Sequence, residues 1–433
     1  MEVDPTRMCA LLVGLPDVAV LGVVDEADRP LQVHVETVVA MTGCPACGTQ
    51  ARVKDRAAVA LVDLPAFGRP AVLVWHKRRW RCPDADCSTG TWTEHAPAIA
   101  APRARVTDRA GRWVTGQVGR DGRSVAEVAR QLGCDWHTVM DAVVAYGTPL
   151  VEDPDRIGDV TALGLDETLF ARTGVWRTRS WCTSIVDVGA PSQLLDVVEG
   201  RTAATASAWI DARPDAWRSS VAWATLDLSG PYRKAFDESL PDATQVADPF
   251  HVVKLANSKL DECRRRVQND TLGHRGRRDD PLYKGRRLLT KAHERLDERG
   301  NAKLLGFLEA GDPKGEVRMC WHAKETLRGF YTQPTEEAEG FLDELIADMV
   351  DESMPPEVSS LGRTLRRWRD QLLAWHAAKV SNGPTEAANN LIKRIKRIKR
   401  IGFGFRRFAH YRLRVLLYAG RPNWDRLATI APR

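Results

Sequence analysis

No run of apolar residues in this chain is long enough to cross a membrane. The best stretch, Ala10 to Val24, is broken by Pro16 and Asp17, and a helical span needs about 20 apolar residues. That stretch also has no basic leader of the kind a signal peptide carries. Cysteine is too irregular for a disulfide scaffold: of nine, four sit in close pairs and five are scattered singly. This usage fits a reducing, cytoplasmic compartment and one metal site. Acid is scarce from Ser381 to Arg414, SNGPTEAANNLIKRIKRIKRIGFGFRRFAHYRLR, where Glu386 is the single carboxylate and ten Lys or Arg follow it.

What is present points to several domains. The 433 residues predict two to four of them. At 43% hydrophobic and 28% charged the chain can bury real cores, and most of its 14 tryptophans are expected there. The net charge of +6 is uneven: residues 1–40 carry −5 and the remainder +11. A basic body of this kind suits a nucleic-acid partner through phosphate neutralisation.

In the late basic stretch, proline favours the first helical position, so a helix is expected to start near Pro384. Glu386 then occupies the first turn, where the helix dipole favours negative charge. Asn389, Asn390 and Lys393 share its face at i+3, i+4 and i+7. Ile392, Ile395, Ile398 and Ile401 form a slowly winding apolar stripe, flanked by Lys393, Arg394, Lys396, Arg397, Lys399 and Arg400. One carboxylate heading a long basic helix suggests metal-dependent chemistry on a polyanion, with these six cations on DNA. A solvated basic face is the alternative.

The N-terminal third predicts three parts. Residues 1–40 read as a β segment, with strands at Val18 to Val24 and Leu31 to Val39. Residues 41–100 hold Cys44 and Cys47, then Cys82 and Cys87. Two close thiolate pairs make a tetrahedral set that selects one structural zinc, with VALVDLP and AVLVWHKRRWRC as ribbon strands. His76 is expected at the surface or on a phosphate, while Lys77, Arg78 and Arg79 put DNA-binding charge beside the metal. In residues 101–150, Ser124 caps SVAEVARQL, Glu127 completes a capping box, Gly133 breaks the run and a second helix spans about Asp135 to Tyr146. Val128, Ala129, Gly133, Val139 and Ala142 fall where a helix-turn-helix needs its core and turn. Trp136, His137, Thr138 and Asp141 are then offered to the major groove.

From Asp159 the pattern changes. TALGLDET, WCTSIVDVG, QLLDVVEG, SVAWATLDL and TQVADPF read as strands, with TAATASAWIDA, PYRKAFDESL and HVVKLANSKLDECRRRV as helices. Three strands, helix, strand, helix, strand is the order of an RNase H-like core, in which the first and fourth strands are neighbours. Asp166 and Asp227 would then lie side by side, at a cost unless a cation sits between them. Hard oxygen ligands suit two magnesium or manganese ions, with Glu386 as third ligand. Asp187, Asp196, Asp248 and Glu167 are rival acids. Residues 266–378 read as an all-helical insertion dividing the core at 159–265 from its last part at 379–433.

Taken together, GLDE at 164–167, Asp-x-Ser-x-x-Tyr at 227–232, Asp-x-Phe-His-Val-Val-Lys at 248–254 and SNGPTE at 381–386 with Asn389, Ile392 and Lys393 follow the ribbon and helix-turn-helix in order. In this the chain resembles the ISL-three family of insertion-sequence transposases along nearly its whole length. Ala387 departs from the family's usual glycine, and the KRI repeat is longer than expected. The resemblance implies a multidomain α/β protein with a split RNase H-like core, and Asp166, Asp227 and Glu386 as metal triad. It implies binding to the terminal inverted repeats of a mobile element, strand cutting and transfer into target DNA. A homodimer or larger assembly is expected on double-stranded DNA, with the protein cytoplasmic and nucleoid-associated. His251 and Lys254 are expected to position the scissile phosphate. A DNA-binding regulator with an inert core and a structure-specific nuclease are the alternatives.

Overall fold

The computed structural model describes residues 1–432 apart from Ala40, Gly174 and 399–404. Lys399, Arg400 and Ile401 therefore lie outside the described residues, as do the side chains of residues 392–398, among them Lys393, Arg394, Lys396 and Arg397. The chain divides into two units, residues 1–158 with 391–433 and residues 159–390.

The first unit opens on helix α1 (Pro5–Val13), which the apolar pattern does not predict. Capping makes it: Asp4 accepts from the Thr6 amide, Pro5 fits the first position, and Gly14 closes the helix at positive φ. Strands β1 (Val18–Val24), β2 (Leu31–Thr37), β3 (Arg52–Ala66), β4 (Arg69–Arg81) and β5 (Thr91–Thr93) form one sheet in the order β1-β2-β4-β3, with β5 on β4. The β segment expected at 1–40 and the expected ribbon thus share a sheet, joined by parallel pairing of β2 with β4 from Leu31↔Ala71 to Val35↔Trp75. Val35, Leu61, Leu73, Trp75 and Ile99 are its core.

Helices α2 (Asp108–Thr115), α3 (Val125–Leu132) and α4 (Trp136–Val151) follow. The Ser124 hydroxyl accepts from the Glu127 amide, Gly133 ends α3 at φ 66°, and Asp135 caps α4. The Glu127 carboxylate is taken by Arg123 at 2.7 Å instead of closing the capping box. Helix α4 runs to Val151 and not to Tyr146, because Leu150 and Val151 are themselves buried. Val128, Ala129, Val139 and Ala142 are buried as expected.

The second unit is built on strands β6 (Ala162–Thr173), β7 (Thr178–Asp187), β8 (Gln193–Glu199), β9 (Trp223–Leu226) and β10 (Thr244–Ala247), in the order β10-β9-β6-β7-β8. The first three form an antiparallel meander, while β9 and β10 run parallel to β6. Parallel pairing needs crossovers. Helices α5 (Ala203–Asp211) and α6 (Asp215–Ser220) precede β9, and α7 (Gly230–Ser239) precedes β10. Leu163, Leu165, Ile185, Val197, Leu226 and Val246 are fully buried along the strands, each worth about 1.5–3 kcal/mol. Strand β6 continues well past Asp166, where the sequence pattern ends it, because Thr168 to Thr173 keep pairing with β7.

After β10 the chain is helical: α8 (Pro249–Leu272), α9 (Pro281–Leu289), α10 (Glu298–Gly311), α11 (Glu316–Phe330), α12 (Thr335–Met349), α13 (Pro356–Arg367), α14 (Arg369–Ala378) and α15 (Gly383–Ile398). The acid-rich α12 pairs Glu339 and Asp343 with Arg369 of α14. Helix α14 packs on β10, so the end of the expected insertion also covers the sheet. Helix α16 (Phe408–Ala419) belongs to the first unit and packs on α4.

Candidate active site

The register of β6 against β9 sets the site. Leu165 faces Leu226 as the last pair of that ladder, so Asp166 and Asp227 follow on the next rung of adjacent strands. One oxygen of each carboxylate and one ring nitrogen of His251 lie within 4.8 Å of one another. Burial is the largest influence on both acids. It raises the pKa of Asp166 and pushes Asp227 up to about 6, with the charges of Asp166 and Glu167 adding to the shift.

His251 is aimed by a helix start. Asp248 is the N-cap of α8, accepting from the His251 amide, and Pro249 takes the first position. The same buried carboxylate lies 3.0 Å from His251 Nδ1. That contact occupies Nδ1 and leaves Nε2 toward Glu386. Burial works against the His251 cation, but Asp248, Asp227 and Asp166 outweigh it, and its pKa is raised. Asp248 also accepts from the Asn382 amide at 2.9 Å, which ties α8 to the approach of α15. Lys254, one turn on, is exposed, with its ammonium 5.9 Å from the Phe250 ring.

Helix α15 crosses the sheet at Gly164. A Cβ there would meet Asn382 Oδ1 and Val188 Cγ1 at 2.6 Å and Thr385 Oγ1 at 2.7 Å, so only glycine permits this approach. Asn382 donates to Leu165 O at 3.1 Å. Glu386, in the first turn, sits beside the cluster with Oε1 4.0 Å from His251 Nε2. Asn389, one turn further, is buried. Its Oδ1 accepts from Thr168 Oγ1 at 2.8 Å and Ser184 Oγ at 2.7 Å, and its amide donates to Asp166 Oδ2. Sequence spacing puts Asn389 on the face of Glu386 but misses the roles of Asn382, in the turn before α15, and of Thr168 and Ser184, whose signal is small polar residues inside otherwise apolar strands.

Of the rival acids, Asp248 supports the site through His251, and the other three have partners of their own. Asp196 accepts from Trp209 Nε1 at 2.9 Å, Asp187 from the Gly189 amide at 2.8 Å, and Glu167 pairs with Arg201 at 3.0 Å.

In the first unit the sulfurs of Cys44, Cys47, Cys82 and Cys87 lie within 4.8 Å of one another. His76 Nε2 is 2.9 Å from His34 Nδ1, on the neighbouring strand. Arg78 corrects the expected DNA-facing trio. It is buried, donates to Thr37 O and Oγ1, and lies between Glu36 and Glu94, so it braces the sheet. Lys77 rests 4.6 Å from the Trp75 ring, and Arg79 pairs with Asp55 at 3.5 Å. Thr138 is a second correction: it is buried, and its amide and hydroxyl both donate to Asp135 within the cap. Trp136, His137 and Asp141 are exposed. Cys263 and Cys320, expected as isolated thiols, converge with Glu357. Arg266 already grips Glu357 at 2.8 and 3.0 Å, and that cation opposes a dication there.

Residues 163–415 match a family described as transposase, of the DDE type in the ISL3 group. Residues 94–147 match the helix-turn-helix domain of transposase family ISL3, and residues 41–87 the zinc-finger of the transposases IS204, IS1001, IS1096 and IS1165. With that match, the four thiolates form a structural zinc site. The transposase for insertion sequence element IS1557 of Mycobacterium tuberculosis is 27% identical over 393 residues, covering 82% of this chain and 85% of that protein. The transposase for insertion sequence element IS1001 of Bordetella parapertussis is 25% identical over 405 residues, covering 90% and 92%. Among the described residues no helix is long and apolar enough to cross a membrane. With a family match over more than half its length, preceded by two further domains of the same kind, the chain belongs to the ISL3 family of DNA transposases.

Proposed function

We propose that Asp166, Asp227 and Glu386 hold two magnesium or manganese ions on an RNase H-like sheet and cut DNA there. The strand order supports the fold reading: an antiparallel meander, then two parallel strands reached through helices, with the first and fourth strands paired. The single observation carrying the chemistry is the convergence of Asp166, Asp227 and His251, with Glu386 alongside. The donors fit hard cations. Oδ1 of Asp227 is buried with no hydrogen-bond partner among the described residues, and such an atom is costly unless something binds it. Bound ions would activate the attacking hydroxyl and stabilise the leaving oxygen. Asn389 and Asp248 hold Asp166 and His251 in place, and Lys254 offers a cation to a phosphate.

The other roles follow. Residues 41–100 and 101–150 recognise the inverted repeats at the element's ends, with Trp136 and His137 toward the major groove. Residues 159–265 and the start of α15 form the core and 266–378 its helical insertion, while residues 391–433, expected as the last part of the core, fold with the first unit. The freed 3′-hydroxyls are joined to target DNA by a homodimer or larger assembly, on cytoplasmic, nucleoid DNA.

The test is a nicking and strand-transfer assay with Mg²⁺ on a duplex carrying the inverted repeat that flanks the gene. The wild-type protein cuts and joins. Asp227→Asn binds the duplex but leaves it intact, and cutting by that variant would remove Asp227 from the site. Wild-type binding without cutting would leave a regulator, and cutting without joining a nuclease.

A further inference from the structure

Beyond Asp166 the β6–β7 hairpin keeps going, with β6 ending at Thr173 and β7 starting at Thr178. At about 3.3 Å per residue Thr173 lies no more than about 23 Å from the acid, and Trp176 no more than about 33 Å. Val175 and Trp176 in the turn are 94% and 92% exposed. Tryptophan seldom stands in water this way, and among the described residues the only other exposed tryptophan is Trp136, at 40%. From Thr168 to Val186 the hairpin contains no Asp or Glu and three arginines, Arg172, Arg177 and Arg179, all of them exposed.

We infer that this tip is a DNA-binding element, with Trp176 stacking on a base and Arg172, Arg177 and Arg179 holding the phosphates around it. A cationic edge with no acid suits a polyanion. A rigid aromatic ring at its end suits the face of a base, and Val175 beside it suits a wedge at an unstacked step. Because the hairpin also carries Asp166, a strand seated on the tip is registered against the acids, within about ten nucleotides at 3.4 Å each. The inference rests on the DNA-cutting reading only for that register.

The test uses the full-length protein and a fluorescein-labelled 30-base-pair duplex. Trp176→Ala weakens binding about 5- to 100-fold while Trp176→Phe, which still stacks, stays near wild type. Arg172→Ala, Arg177→Ala and Arg179→Ala together flatten the slope of log Kd against log salt by about 2 to 3. Acrylamide quenches a tryptophan component that Trp176→Phe lacks, and saturating duplex shields it. Unchanged affinity in Trp176→Ala, an unchanged salt slope, or a component still quenched on DNA each overturns the inference. So does a dimer that Trp176→Ala dissociates with DNA affinity intact, since the tip would then serve a second copy. None of these readouts requires cleavage, so they stand or fall apart from the Asp227→Asn assay.

Discussion

Asn389 donates its side-chain amide to Oδ2 of Asp166, 223 positions earlier in the chain. Two hydroxyls, from Thr168 and Ser184, both point at Asn389 Oδ1 and so fix which end of the amide faces the acid. One oxygen of Asp166 is thereby held in place. Asn389→Ala is expected to lower cleavage and Mn²⁺ affinity about 10- to 100-fold with duplex binding unchanged. Titration calorimetry with Mn²⁺ checks it, and an unaltered affinity would show that Asp166 needs no such support.

Asp227 makes metal-free stability depend on pH. Its folded pKa is about 6 against an ordinary 3.8, so between those values the folded state binds the extra proton. Stability gained from this group is complete below the lower value and is lost as pH rises through the higher one. The loss amounts to roughly 3 kcal/mol. In EDTA, Asp227→Asn should therefore be more stable than wild type at about pH 7, and the two should converge near pH 4. Urea unfolding at the two pH values measures this. A gap that does not change with pH would contradict the buried carboxylate. Added Mg²⁺ is expected to stabilise wild type and not the variant.

Gly164→Ala should cost about 1–3 kcal/mol, because the added methyl meets Asn382, Val188 and Thr385 at the crossing of α15. Glu386 would move with the helix, so cleavage falls more than stability explains. Thermal unfolding and nicking at a temperature where the variant is fully folded separate the two effects. Full activity in that variant would mean that the crossing does not position Glu386.

Cys82→Ser should empty the four-sulfur site. Chelator titration of the denatured protein is expected to read one zinc per chain in wild type and none in the variant, with weaker duplex binding. One zinc retained would mean that Cys82 is not a ligand.

How legible this was in the sequence differs by feature. Strand patterning and the late proline bring Asp166, Asp227 and Glu386 into view because β-alternation and helix capping are local signals. The ladder that sets Leu165 opposite Leu226 is not local, and neither is the passage of α15 over Gly164. Asp248 illustrates the gap: as a strand-end acid it competes with the others, and only the fold reveals it as a cap and as the partner of His251. Arg78 and Thr138 fail for a related reason. Charge and position along a strand or helix do not say which face is covered, and both are buried.

The crossing of α15 over β6 also sets a timetable for synthesis. Asp166 and Asp227 leave the ribosome well ahead of Glu386, by roughly ten to thirty seconds at ~5–20 residues per second. Until the first turn of α15 docks over Gly164, a nascent chain bears two acids of the proposed three. A chain still being made therefore lacks the third carboxylate of the proposed cutting site.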